Sequence, residues 1–130
     1  MNNQAAETIR ISPRAVFVAE QSDPVHGRFA FGYEITIHNQ SAQTITLTHR
    51  HWLIDHGNGK IDEVRGQGVV GETPTLQPGA RYQYRSGAII ETPAGFMWGD
   101  YQFSDEKLNV FQVAIPRFAL IAPRHYRTEH

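Results

Sequence analysis

From Phe29 to Ile37 every second residue is large and apolar: Phe29, Phe31, Tyr33, Ile35 and Ile37 alternate with Ala30, Gly32, Glu34 and Thr36. Successive side chains of a β-strand point to opposite faces, so this period of two specifies a strand with one buried and one wetter face. The pattern returns in Ile45 and Leu47 against Thr44, Thr46 and Thr48, in Tyr82 and Tyr84 against Arg81, Gln83 and Arg85, and in Phe111, Val113 and Ile115 before Pro116. No segment carries a convincing helical period. Turn signals separate the runs at Ser22-Asp23-Pro24, Asn39-Gln40-Ser41, His56-Gly57-Asn58-Gly59, Pro78-Gly79, Thr92-Pro93-Ala94-Gly95 and Ser104-Asp105. Short strands broken in this way predict an all-β antiparallel sandwich or barrel of about seven to nine strands. A length of 130 residues fits a single domain over 1–130 that buries roughly two-thirds of its unfolded surface. Its core is expected over about 9–123, with flexible arms at residues 1–8 and 124–130.

One segment conflicts with strict alternation. If Ile45 and Leu47 face the core, His49 and His51 follow them inward and Trp52 and Ile54 turn out to solvent. A β-bulge near His49 to His51 resets the phase and buries Trp52, at a smaller cost than leaving a Trp and an Ile exposed.

Gly66-Gln67-Gly68-Val69-Val70-Gly71 matches G-x-G-x-x-G. That fingerprint binds a dinucleotide only where it closes a strand and opens a helix whose N-terminus meets the pyrophosphate. Here Pro74 and Pro78 follow, denying the next segment a helical ladder. The segment therefore reads as a glycine-rich loop on a β scaffold. Two roles remain for it. Gly66, Gly68 and Gly71 can permit tight turns and close backbone approach, or, with Arg65, their amides can form a nest for a small anion such as pyrophosphate or a nucleotide phosphate. Arg50 or Arg85 can approach that loop across the sheet.

His49 and His51 form an H-x-H pair on one strand face, the type and spacing of ligand that holds zinc or another transition ion. Asp55 joins them only if no bulge intervenes, and a metal site wants three or four convergent ligands. Polar packing or surface histidines are the alternative. No nucleophile elbow frames Ser86, and Glu34, Asp62, Glu63, Glu72 and Glu91 form no discernible acid–base pair, so no enzymatic activity is expected. The segment Phe96 to Phe103 carries apolar bulk at both parities: Phe96 and Trp98 on one face, Met97, Tyr101 and Phe103 on the other. A sandwich strand needs one such face for its own core. The surplus offers a partner surface, with Trp98 and Tyr101 as its anchors, unless a loop or terminal arm covers it.

The formal net charge of −1 and the absence of a cationic stripe exclude a nucleic-acid binder of the usual kind. All cations but Lys60 and Lys107 are arginines, suited to carboxylate or phosphate contact or simply to lying over apolar neighbours. There is no cysteine, hence no disulfide and no thiolate site. Neither a signal peptide nor a run of ~18 apolar residues is present, and a cytoplasmic protein with no cofactor and no membrane contact is expected.

Arg50-His51-Trp52, the Gly66–Gly71 segment, Leu76-Gln77-Pro78-Gly79, Tyr84-Arg85-Ser86-Gly87, Thr92-Pro93-Ala94-Gly95-Phe96-Met97 and Ile115-Pro116-Arg117-Phe118 together resemble the bacterial ApaG family, over approximately residues 9–123. The resemblance implies an immunoglobulin-like sandwich of the fibronectin type III kind. It also implies kinship with domains fused to eukaryotic F-box and polymerase-interacting proteins, where the module serves protein contacts, and an association with cobalt and magnesium tolerance that nominates no residue. The reading is a non-enzymatic interaction module with an unidentified protein partner. Edge strands allow a homodimer. A small-anion binder through Arg65, Gly66, Gly68 and Gly71 is the alternative.

Overall fold

The computed structural model describes residues 8–127. Eight strands run in order: β1 (Ile9–Phe17), β2 (Phe29–Asn39), β3 (Ile45–Asp55), β4 (Ile61–Gln67), β5 (Thr75–Leu76), β6 (Arg81–Ile90), β7 (Ala94–Asp105) and β8 (Val110–Ile121). They form two antiparallel sheets, β1-β2-β6 and β4-β3-β7-β8, with β5 pairing beside the start of β3. The fold is an all-β sandwich.

The alternation read in β2 sets the first sheet's inner face: Phe29, Phe31, Tyr33, Ile35 and Ile37 are all buried. The second sheet answers with Ile45, Leu47, Trp52, Met97, Tyr101, Phe103, Val113, Ile115 and Leu120. Aromatic rings join the layers. Tyr33 meets Trp52 with centroids 5.4 Å apart, and Trp52 meets Tyr101 edge-on at 6.2 Å and Phe118 at 6.0 Å. Such edge-to-face pairs add to simple area burial. The hydroxyls of Tyr84 and Tyr101 hydrogen-bond to each other inside the core, across the two sheets. Burial pushes both phenols above the ordinary tyrosine range.

A β-bulge does interrupt β3, but it falls between Leu47 and His49 rather than between His49 and His51. Thr48 is the extra residue. Its carbonyl accepts the amide of Gly68 at 2.7 Å, and its hydroxyl donates to the Gln102 carbonyl at 3.1 Å, so the bulge leaves none of these groups orphaned. Beyond it the phase is reversed: Trp52 is 3% exposed, while His49 lies on the outer face. Because the bulge precedes His49, Asp55 stays in phase with His49 and His51, contrary to the expectation that a bulge would separate them.

The glycine segment is not a free loop. Gly66 and Gln67 finish β4, and Val69 to Glu72 form a two-residue hairpin closed by reciprocal amide–carbonyl bonds of 2.8 Å each. Val70 and Gly71, at its tip, have φ of 43° and 81°. Positive φ at both central residues is the type I′ signature, which favours Asn-Gly and strains a β-branched residue in the first position.

The arms expected at residues 1–8 and 124–130 fall partly outside the described residues. Residues 1–7 and 128–130 lie outside the described residues. Arg124–Arg127 form a helical turn, with Arg127 Nε donating to the Ala122 carbonyl at 3.0 Å and the Tyr126 ring 5.0 Å from that of Phe17. No helix among the described residues is long and apolar enough to cross a membrane.

Val70→Asn is expected to stabilise the protein by about 1 kcal/mol, because Asn adopts the left-handed conformation at lower cost than Val. Urea unfolding checks this as a raised midpoint with an unchanged slope.

Candidate functional site

With the phase of β3 fixed, its two faces carry different chemistry. The outer face of the second sheet reads across the strands by register: Arg65, His51, Asp100 and Ala114 in one row; Glu63, Leu53 and Trp98 in the next; Ile61, Asp55, Phe96 and Ala119 beyond. One half is therefore ionic and the other largely apolar.

His51 sits between two carboxylates. Its Nε2 lies 2.6 Å from Glu63 and its Nδ1 3.2 Å from Asp100. The two acids occupy opposite edges of the imidazole, so they cannot converge with it on one ion. His49, expected as its co-ligand, turns instead to Thr48 Oγ1 and to Gln102 Nε2, each 3.0 Å from Nδ1. Asp55, although in phase, accepts the amide of Gly57 at 2.8 Å. Among the described residues no group of three His, Cys, Asp or Glu side chains is placed to hold a metal. Glu63 also accepts a hydrogen bond from Arg65 at 2.8 Å. The hydrogen bond with His51, followed by the charge of Arg65, holds the Glu63 carboxyl below its ordinary range.

The anion nest expected at Arg65, Gly66, Gly68 and Gly71 is not assembled. The amides of Gly68, Val69 and Glu72 already donate to Thr48, Glu72 and Val69 carbonyls, and Arg65 is exposed and paired with Glu63. The glycines serve the close-approach role instead. At Gly66 a Cβ would stand 2.6 Å from the Arg50 guanidinium carbon, and at Gly68, with φ of 64°, 2.2 Å from the Glu72 carbonyl oxygen. Arg50 is the cation that reaches the segment. Its Nη1 donates to the carbonyls of Gln67 and Gly68, 3.0 Å each.

Of the two proposed partner anchors, Tyr101 is a correction. It is fully buried, hydrogen-bonded to Tyr84 and packed on Trp52. It shares the parity of Met97 and Phe103, and that parity is the core. Trp98 lies on the outer face, partly buried, with the more exposed Phe96 beside it. The Arg117 guanidinium stacks over both rings, 4.0 Å from the Phe96 centroid and 5.5 Å from that of Trp98. The β7–β8 register shifts between Met97 and Gly99, so Trp98 stands beside a second irregularity. Leu53 is half-buried, and Ile61 and Ile121, also on this sheet, are about half-exposed.

Two features escaped the sequence reading. His56 is buried, with Nε2 2.8 Å from Asp62 and Nδ1 accepting the Glu91 amide at 3.0 Å, and pins the β3–β4 turn to the β6–β7 turn. The His51 carboxylate pair depends on Glu63 and Asp100, which come from β4 and β7. Only the strand register brings them together, and a one-dimensional spacing rule carries no signal for it.

Comparison with known proteins is consistent over most of the chain. The family model described as the ApaG domain matches residues 19–105. Protein ApaG of Pectobacterium carotovorum is 45% identical over 118 residues, covering 91% of this chain and 94% of the relative. Protein ApaG of Acidithiobacillus ferrooxidans is 44% identical over 122 residues, covering 94% and 96%. A solved Bordetella pertussis structure, described as an ApaA protein, superimposes with a TM-score of 0.86 at 39% identity, covering 89% of this chain and 94% of that one.

Because the depressed Glu63 carboxyl contributes stability above its unfolded pKa and loses it as pH falls through the folded value, Glu63→Gln should lower Tm near neutrality. The difference from wild type should shrink below about pH 4. Thermal melts of both proteins across that range check it.

Proposed function

Since the chain belongs to the ApaG domain family, we propose that it is a non-enzymatic interaction module whose sandwich is of the immunoglobulin-like, fibronectin type III kind. The strand order supports the second part: two antiparallel sheets, β1-β2-β6 and β4-β3-β7-β8 with β5 beside β3, make the two-layer arrangement of such sandwiches. The observation that carries the first part is the outer face of the second sheet, where Phe96 and Trp98 stand outside a core already filled from the other side by Met97, Tyr101 and Phe103.

A large aromatic with no role in its own core, beside a stacked arginine, has the composition of a binding hot spot: Trp, Tyr and Arg dominate such sites. Arg117 shields the rings in the free protein and can turn its charge to a partner once the rings are covered. The ionic row of Arg65, Glu63, His51 and Asp100 borders the apolar half and supplies directional contacts at its rim. The partner is a protein with a complementary apolar surface. On this reading a link to divalent-cation tolerance runs through that partner and not through metal held by the sandwich.

The test is capture from native lysate with wild type and Trp98→Ala, each checked by thermal melt. Truncating a hot-spot Trp is expected to weaken capture by at least tenfold, equivalent to ~1.4 kcal/mol or more, with Tm nearly unchanged. Equal capture by both proteins, or a variant that unfolds, returns Trp98 to a structural role.

A further inference from the structure

The phase reversal in β3 has a second effect, on the inner face. Arg50 has the parity of Trp52, and its side chain lines a cleft between the Val69–Glu72 hairpin and β6. No carboxylate among the described residues forms an ion pair with it. Its hydrogen bonds to the Gln67 and Gly68 carbonyls use Nη1 alone, and a guanidinium carries five N–H donors in a rigid fork. Nε and Nη2 make no hydrogen bond to any of the described residues. A half-buried cation without an anion is costly to hold.

Arg50 lines a cleft of about 200 Å³ together with Tyr33, Trp52, Val69, Val70, Tyr84 and Ser86. Two hydroxyls on adjacent strands border it, because Tyr33 of β2 pairs directly with Ser86 of β6. The Tyr84 hydroxyl is engaged by Tyr101. Burial raises the Tyr33 phenol, and the nearby Ser86 hydroxyl and Arg50 charge pull in the opposite direction, which places all three groups within electrostatic reach of one another. The volume is below the ~300 Å³ at which pockets begin to take drug-sized ligands. It suits a single ionic group.

We propose that this cleft binds one phosphate-sized tetrahedral oxyanion, with the free edge of Arg50 as its charge partner and the hydroxyls of Ser86 and Tyr33 as further donors. A planar carboxylate is satisfied by the arginine fork alone, whereas a tetrahedral oxyanion uses donors outside that plane. The site is distinct from a nest of loop amides, since it uses side-chain donors and the amides of Gly68, Val69 and Glu72 are already bonded to carbonyls. It is equally distinct from the aromatic face, which lies on the other side of the same sheet, so either can fail without the other. Gly66 is part of its construction, because only a residue without Cβ lets the guanidinium lie flat on β4.

The experiment follows the Arg50 Nε–H and backbone amide signals by NMR during titration with inorganic phosphate, against sodium chloride at matched ionic strength. A parallel titration uses methyl phosphate. Saturable shifts of Arg50, Gly71 and Ser86 with phosphate and not with chloride are expected. Ser86→Ala and Tyr33→Phe, which keep the Arg50 clamp on the hairpin, should each weaken binding about tenfold, the factor that one hydrogen bond to a charged group supplies. Methyl phosphate binding as tightly as inorganic phosphate identifies the phosphoryl group of a small ester as the ligand; binding of inorganic phosphate alone identifies the free ion. Linear shifts equal in both salts overturn the proposal. So do saturable shifts confined to the exposed Arg10, Arg14, Arg81 and Arg85, or wild-type affinity in both hydroxyl variants.

Discussion

One extra residue in β3 decides what each side of that strand does. Ile45 and Leu47 must face the core, and so must Trp52, yet Trp52 lies five positions on from Leu47. An odd interval cannot place both ends on one face of a regular strand. The bulge at Thr48 resolves this, and it is tied down from two sides, by the Gly68 amide on its carbonyl and by Gln102 on its hydroxyl. The left-handed conformation of Gly68 is therefore part of the same device. From it follow the cross-sheet contact of Trp52 with Tyr33, the inward course of Arg50, and the placement of His49 and His51 on the outer face.

The two faces then divide the chemistry. Inside, aromatic rings and the Tyr84–Tyr101 hydrogen bond join the sheets, with Arg50 at the edge of this core as its single guanidinium among the described residues. Outside, β3 contributes Leu53 to an apolar area with Trp98 and Phe96, and His51 to an ionic one with Glu63 and Asp100. A platform of this kind holds side chains in fixed register on rigid strands, which suits recognition.

The fold was legible because its signal is local. Period two in β2, β6 and β8 needs only neighbouring residues to be read, and the conflict between Leu47 and Trp52 was enough to require a bulge. Its position was not legible: Thr48, His49, Arg50 and His51 are all polar, so nothing in the sequence ranks one above another as the unpaired residue. The candidate sites were less legible because they depend on register. Arg65 is adjacent to the glycines in sequence, but Arg50 faces Gly66 across the ladder and is the residue that touches them. Tyr101 was misassigned for a different reason. Its parity with Met97 and Phe103 was already visible, and a strand with one apolar face outside must place the other one inside.

The most direct test of the account is a set of nuclear Overhauser contacts from the two indoles. Cross-peaks from Trp52 to the rings of Tyr33, Tyr101 and Phe118, with Trp98 contacting Phe96 and the Arg117 side chain instead, are the predicted result. Contacts from the His49 or His51 ring to Tyr33, with Trp52 free of core contacts, would place the phase of β3 the other way and contradict it.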